Sequence, residues 1–295
     1  MKNQQKAYLF GIATVLLWST VASAFKLSMR YLDHVQLLLY STIVSIVVLS
    51  GILLVQGRFA TIFSYSRQQY LQSLKLGFVS PFFYYLVLFK AYDLLPAQVA
   101  QPINYTWALT LAFLSIPLLK QRIGMKEIIA GLICYSGVFI ISTHGDLGNL
   151  RASNPLGVAL ALGSTVVWSL YWIYNTKDNR DPVASLLLNF VFGLPFIFLY
   201  CLIFSDISVT SLKGLLGAAY VGVFEMGITF VLWLNALRLS ENTAKVGYLI
   251  FFSPFLSLVF IHFFVGEEIM KSTFIGLVLI ITGLIIQQVR TSPRR

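Results

Sequence analysis

The chain has 295 residues, of which 58% are hydrophobic and 11% charged, whereas a soluble globular domain carries about 25% charged residues. That balance excludes a water-soluble enzyme and a nucleic-acid-binding domain. Lys and Arg number 21 against 11 Asp and Glu, a formal charge of +10, and in so apolar a chain the excess points to loops held on the cytoplasmic side of a membrane.

A helical crossing of a bilayer needs roughly 20 apolar residues, and ten stretches approach that length. In chain order they are Ala7 to Phe25, His34 to Val55, Leu76 to Tyr92, Ala97 to Leu119, Ile128 to Ser142, Leu156 to Tyr174, Val183 to Phe204, Leu212 to Leu234, Val246 to Val265 and Thr273 to Ile286. The fifth and tenth are short and borrow flanking residues, such as Met125 to Glu127 and Gln287 to Val289. The runs are continuous rather than alternating, so they predict helices and not β-barrel strands. Lys2, Lys6 and the closing Ala22-Ser23-Ala24 give the first stretch the look of a cleaved signal peptide. It is read as a retained helix, because Ala13-Thr-Val-Leu-Leu-Trp18-Ser19 returns mid-chain as Gly163-Ser-Thr-Val-Val-Trp168-Ser169. The two cysteines, Cys134 and Cys201, lie in apolar runs without CxxC or metal-ligand spacing.

The echo extends over most of the chain. Asp33-His-Val35 followed by Leu37 to Leu39 matches Asp181-Pro-Val183 followed by Leu186 to Leu188; Gly77 to Ala91 matches Gly222 to Ala236; Lys126, Gly131 and Gly137 match Lys271, Gly276 and Gly283. The expected fold is an all-α integral membrane protein of ten transmembrane helices, arranged as two inverted five-helix repeats, 1–145 and 155–295, joined by a short linker over 146–154. Five is odd, so the halves cross the membrane in opposite senses. With the amino terminus inside, 15 of the 21 basic residues fall on the cytoplasmic side, leaving Lys26, Arg30, Lys90, Arg151, Lys213 and Lys271 on the other. Both termini are therefore expected to be cytoplasmic.

Inverted repeats suit alternating access, in which two similar halves exchange conformations around one central site. Trp18-Ser19 and Trp168-Ser169, Gln101-Pro-Ile-Asn-Tyr-Thr-Trp107 opening the fourth helix, Ser253-Pro254-Phe255 in the ninth, Gly266-Glu267-Glu268 after it and Gly276 to Gly283 in the last together resemble the ten-helix, EamA-type branch of the drug/metabolite transporter superfamily. The stretch from Asn104 to Trp107 is similar to the corresponding run in bacterial aromatic amino acid exporters of that superfamily. The resemblance implies a bacterial plasma (inner) membrane carrier exporting an amino acid, with no cofactor and no bound metal. The halves are not equivalent: Gln121-Arg122 stands opposite Glu267-Glu268, and Trp107-Ala108 opposite Pro254.

Glu225 lies mid-helix in the eighth stretch, where an ionised group costs about 2.5 to 3.5 kcal/mol on insertion scales. Exchange of a proton for a cationic substrate is one use of such a group, and an interhelical hydrogen bond is the other. Thr229 follows one turn later and shares its face on a continuous helix; the repeat counterpart of Glu225 is Ser80. In the fourth stretch, Gln98, Gln101, Asn104 and Tyr105 have one-face spacing, and Pro102, like Pro254, removes a backbone donor. Of the deep aromatics, Trp18, Tyr84, Trp107 and Trp168, with Tyr248 in the ninth stretch, complete the candidate substrate site, since ring faces attract ammonium groups. Lys90 and Asn189 are secondary candidates, and His34, His144 and His262 are read as interfacial.

The leading function is secondary transport of a small polar metabolite, an amino acid moved outward, with Glu225 as the proton site. A carrier for an organic cation held by Glu225 and the aromatics is the alternative. A channel and an integral-membrane enzyme are further classes; the enzyme lacks clustered acid, base or metal ligands. The partners are a small-molecule substrate and the lipid bilayer, with the chain a monomer or a homodimer.

Overall fold

The computed structural model describes residues 3–119, 125–146, 153–175, 178–239 and 248–288. These residues hold thirteen α-helices and no strand. The first two are α1 (Gln4–Ser28) and α2 (His34–Val55). After a short 3-10 turn come α3 (Arg67–Gly77), α4 (Tyr84–Leu94), α5 (Ala97–Asn104), α6 (Trp107–Leu119) and α7 (Met125–Ser142). The second half contains α8 (Pro155–Asn175), α9 (Pro182–Phe204), α10 (Leu212–Phe224), α11 (Ile228–Leu239), α12 (Ser253–Phe260) and α13 (Lys271–Gln288). Among the described residues, six segments are long and apolar enough to cross a membrane, and shorter apolar helices accompany them. Large apolar side chains such as Val47, Leu132, Ile203 and Phe263 stand outward, as a surface facing lipid requires.

Local chemistry sets several starts. Asp33 caps α2 by accepting from Val35 N at 2.7 Å and Gln36 N at 2.9 Å, and the Gln36 side chain accepts from Asp33 N in return. Its repeat counterpart Asp181 caps α9, accepting from Val183 N and Ala184 N at 3.0 Å each. The third predicted helix begins earlier than Leu76 because Ser66 and Gln69 form a capping box ahead of α3. The fifth and tenth extend to Met125 and to Lys271 and Gln288.

Several predicted single helices are interrupted. α3 and α4 are joined by a π-helical turn, Phe78–Phe83, in which Ser80 is extended (φ −149°, ψ 123°) just before Pro81. Glu225 to Gly227 break α10 from α11, and Tyr105-Thr106 break α5 from α6. A 3-10 turn, Tyr248–Phe252, leads into α12, which continues as a π-helical turn, Ile261–Val265, closed by left-handed Gly266 (φ 82°). Ser80 and Glu225 are repeat counterparts, so the first two breaks occupy equivalent places.

Packing follows the same exchange. α1 packs on α11 as α8 packs on α4; α2 on α10 as α9 on α3; α1 on α12 as α8 on α6; and α2 meets α9, and α7 meets α13, between the halves. One pair of close approaches matches residue for residue. A Cβ on Gly77 would strike the carbonyl oxygen of Asn189, and one on Gly222 that of Ser41, the counterpart of Asn189. Small residues thus set the approach of these helices.

One charged cluster is buried beside α3 and α9. Arg180 Nη2 lies 2.6 Å from Asp178 Oδ2, with the two side chains 1% and 4% exposed. Arg180 also donates to Gln69 O at 3.1 Å and Ser73 Oγ at 2.8 Å, and its guanidinium lies over the Tyr65 ring.

Candidate functional site

The interrupted helices surround a cavity of about 170 Å³ between the two halves, slightly larger than a pocket that takes benzene (about 150 Å³). α1 contributes Trp18, Val21, Ala22 and Phe25; α4 contributes Tyr84, Leu88 and Tyr92; α5 and α6 contribute Gln101, Asn104, Tyr105 and Trp107. From the second half come Trp168, Trp172, Glu225, Trp233 and Ile250.

The repeated Trp-Ser pairs have a structural purpose. Ser19 Oγ approaches Ser253 Oγ at 3.2 Å, and Ser169 Oγ donates to Trp107 O at 3.0 Å. Each serine therefore ties the first helix of its half to an interrupted helix of the other. Tyr105 Oη adds a 2.7 Å bond to Ser253, and Asn104 Nδ2 one of 2.9 Å to Ser164. The tryptophans that precede the serines line the cavity. Trp168 stacks on Tyr84 with ring centroids 4.4 Å apart, and Phe230 stands edge-on to both Trp18 and Trp168.

Glu225 supplies the one carboxylate among the lining residues, and none of them is basic. It stands at the end of α10, where its backbone N–H reaches Val221 O. Tyr85 Oη donates to Glu225 Oε1 at 3.1 Å, and among the described residues no basic side chain pairs with it. A carboxyl group in low dielectric takes a proton, a hydrogen-bond donor or a cationic partner. Three further polar atoms of lining residues are buried without a partner: Trp18 Nε1, Trp172 Nε1 and Gln101 Oε1. Each lies out of reach of a water-sized probe, so it faces packed side chains rather than the open cavity.

Of the sequence-predicted residues, Trp18, Tyr84, Gln101, Asn104, Tyr105, Trp107, Trp168 and Glu225 are brought together here. The Tyr248 side chain lies outside the described residues. Thr229 is not among the lining residues; its hydroxyl donates to the Phe224 carbonyl instead. The helix breaks between Glu225 and Ile228, so the one-turn spacing of a continuous helix does not apply. Gln98 serves the loops, binding Glu268 O, Met270 N and Thr273. Glu267 accepts from Ala97 N and Gln98 N, capping α5. Lys90 pairs with Asp93, and Asn189 Nδ2 lies 3.4 Å from Tyr171 Oη. No group of three or more His, Cys, Asp or Glu residues suited to a metal occurs among the described residues.

The lining residues Phe25, Tyr92, Trp172, Trp233 and Ile250 were not singled out as site residues from sequence. Trp172 carried the available signal, as a deep indole one turn beyond Trp168. Trp233 carried another, an indole eight residues after Glu225 in the same apolar stretch.

Interrupted helices meeting between two repeats, around a cavity with few polar groups, define an integral-membrane transporter fold. The EamA-like transporter family matches residues 5–143 and again 155–287, and the chain belongs to that family, within the drug/metabolite transporter superfamily. An uncharacterized transporter of Clostridium kluyveri is 30% identical over 62% of this chain. Bacillus subtilis YvbV, also an uncharacterized transporter, is 24% identical over 68% of it. These alignments span 64% and 66% of the two relatives' own lengths. The uncharacterized inner membrane transporter YhbE of Escherichia coli is 19% identical over 93% of this chain and 88% of its own. A crystal structure of 20% sequence identity covers 97% of this chain and 98% of its own with a TM-score of 0.70, which shows a shared fold.

Proposed function

We propose that this membrane protein is a secondary active transporter of an amino acid, working outward by alternating access, with Glu225 as the proton-coupling group. The observation that carries the reading is the cavity itself: one carboxylate and an aromatic wall that includes Trp18 and Trp172, shared between two repeat halves. An amino acid matches that set through its ammonium group, which Glu225 and the aromatic ring faces attract. Ten crossings fit the reading when α3 with α4, α5 with α6, α10 with α11, and the 3-10 turn with α12 each count as one. The repeats then run over 1–145 and 155–295, inverted, with both termini on the cytoplasmic face of the plasma membrane.

A second reading, transport of an organic cation, draws on the absence of any basic group among the lining residues. Reconstituted protein separates the two. Amino acids and quaternary amines are offered to proteoliposomes with and without a proton gradient, using wild type, Glu225→Gln and Trp18→Phe. Saturable, gradient-sensitive amino acid flux, with the gradient response lost in Glu225→Gln and KM raised in Trp18→Phe, is the expected result. Flux of the amines alone replaces the leading reading with the second. Gradient sensitivity that survives intact in Glu225→Gln removes the coupling role.

A further inference from the structure

A second opening lies on the flank of the molecule, away from the central cavity. α1, α10 and the end of the α12 segment enclose about 500 Å³ there, against about 170 Å³ at the centre. Its features are ordered by depth. Lys213, in the first turn of α10, holds its Nζ 5.9 Å above the Tyr31 ring at the mouth, and it makes no ion pair among the described residues. About one turn and a half further along α1, roughly 7 Å from its end, Ser23 is 3% exposed and its hydroxyl has no hydrogen-bond partner. The neighbouring hydroxyls are satisfied: Thr20 bonds Tyr220 at 2.7 Å, and Ser28 donates to Ala24 O at 2.6 Å. The remaining wall is apolar, with Leu27 and Phe260, and Phe264, 61% exposed, places the rim on the lipid-facing surface.

A cation without an ion pair at the mouth and the apolar side chains Leu27, Phe260 and Phe264 along the walls suit the phosphate and an acyl chain of a phospholipid. We propose that this groove binds an anionic phospholipid, with its phosphate on Lys213 and one acyl chain lying along the groove. Lipid packed here bears directly on the junction of α1 with α10, the helix that ends in Glu225.

The test is titration of delipidated protein in non-ionic detergent with dioleoyl phosphatidylglycerol and dioleoyl phosphatidylcholine, with retained lipid counted by native mass spectrometry. Wild type is expected to retain phosphatidylglycerol about fivefold better, the worth of one lysine near an anionic head group. Lys213→Gln, an exposed change, removes that preference, and Ala24→Phe, which occupies the groove, lowers retention of both lipids. Equal retention of the two lipids by wild type, a preference that survives Lys213→Gln, or unchanged retention in folded Ala24→Phe overturns the proposal. If Ala24→Phe does not yield monodisperse protein, Lys213→Gln decides alone.

Discussion

The close approach of α2 to α10 makes Gly222→Ala a sharp probe of the fold. The new Cβ falls 2.5 Å from Ser41 O and 2.7 Å from Val44 Cβ, where ordinary contact starts at 3.4 Å, a shortfall of 3.4 − 2.5 = 0.9 Å against a backbone oxygen. A carbonyl within α2 cannot rotate aside, so the two helices must part. Parting also stretches the 2.8 Å bond from Ser45 Oγ to Gly222 O. Overpacking costs about 1 to 3 kcal/mol and the bond about 1 kcal/mol, giving a loss of about 2 to 4 kcal/mol. Gly77→Ala meets Asn189 O and, at 2.8 Å, Gly193 N in the equivalent place, so its loss is similar. Gly163→Ala is the control: it lies within α8 with nothing inside 4 Å, and the better helix former is worth about 0.5 to 1 kcal/mol. At about 2 to 4 °C per kcal/mol for a chain of this order, the first two variants should lose about 4 to 16 °C. The assay is the monodisperse fraction after heating in one detergent at a fixed schedule, because unfolding of such proteins is irreversible. A Gly222→Ala midpoint at or above wild type refutes the packing argument, and a drop in one glycine variant alone refutes the equivalence of the halves.

Two other sites test single interactions. Arg180→Met leaves Asp178 buried with no cation, a change that costs about 3 to 5 kcal/mol. The yield of monodisperse protein should fall sharply and recover in part when Asp178→Asn is added, whereas no recovery would assign Arg180 to packing rather than to charge. Glu267→Ala removes both acceptors, at 2.8 and 3.1 Å, from the first N–H groups of α5, a capping loss of about 1 to 2 kcal/mol. Glu267→Gln keeps one acceptor oxygen, so thermal midpoints should run wild type, Gln, Ala; an Ala variant level with wild type counts against the cap.

The spans were legible because lipid exposure demands long apolar runs, and the duplication because Trp18-Ser19, Asp33 and Gly77 each recur in the same order. The breaks were not, since a helix that bends to meet a cavity keeps the same apolar composition on both sides of the bend. Pro102 illustrates the difficulty: it is accommodated within α5, and the interruption falls later, at Tyr105-Thr106. Thr229 and Glu225 follow one-face spacing only on an unbroken helix. The start of α3 was hidden by the polar residues Arg67, Gln68 and Gln69, which read as a loop by hydropathy but form a capped helical turn. Gln98 and Gln101 differ by less than one turn, yet one serves the loops and the other the cavity, a distinction that only the packing of α5 against α8 and α13 makes.

The two halves share a scaffold and differ where side chains do chemistry. At the first break, Ser80 is buried in extended backbone, while its counterpart Glu225 borders the cavity. Beside the equivalent helix starts, Leu32 packs on Gly214, whereas its counterpart Arg180 bonds the carbonyl of Gln69, the counterpart of Gly214. Symmetric backbone breaks give the cavity walls from both halves, as the proposed exchange between two openings requires. Asymmetric side chains give it one carboxylate on one side only, so a substrate with a single ammonium group has a preferred orientation in it. Under the proposed function, moving the acid to the other half by Ser80→Glu with Glu225→Ser should preserve the fold better than it preserves selectivity. Scaffold contacts at Gly77 and Gly222 are indifferent to which half holds the charge, whereas Tyr85, which donates to Glu225, has no reason to meet a carboxylate placed at position 80.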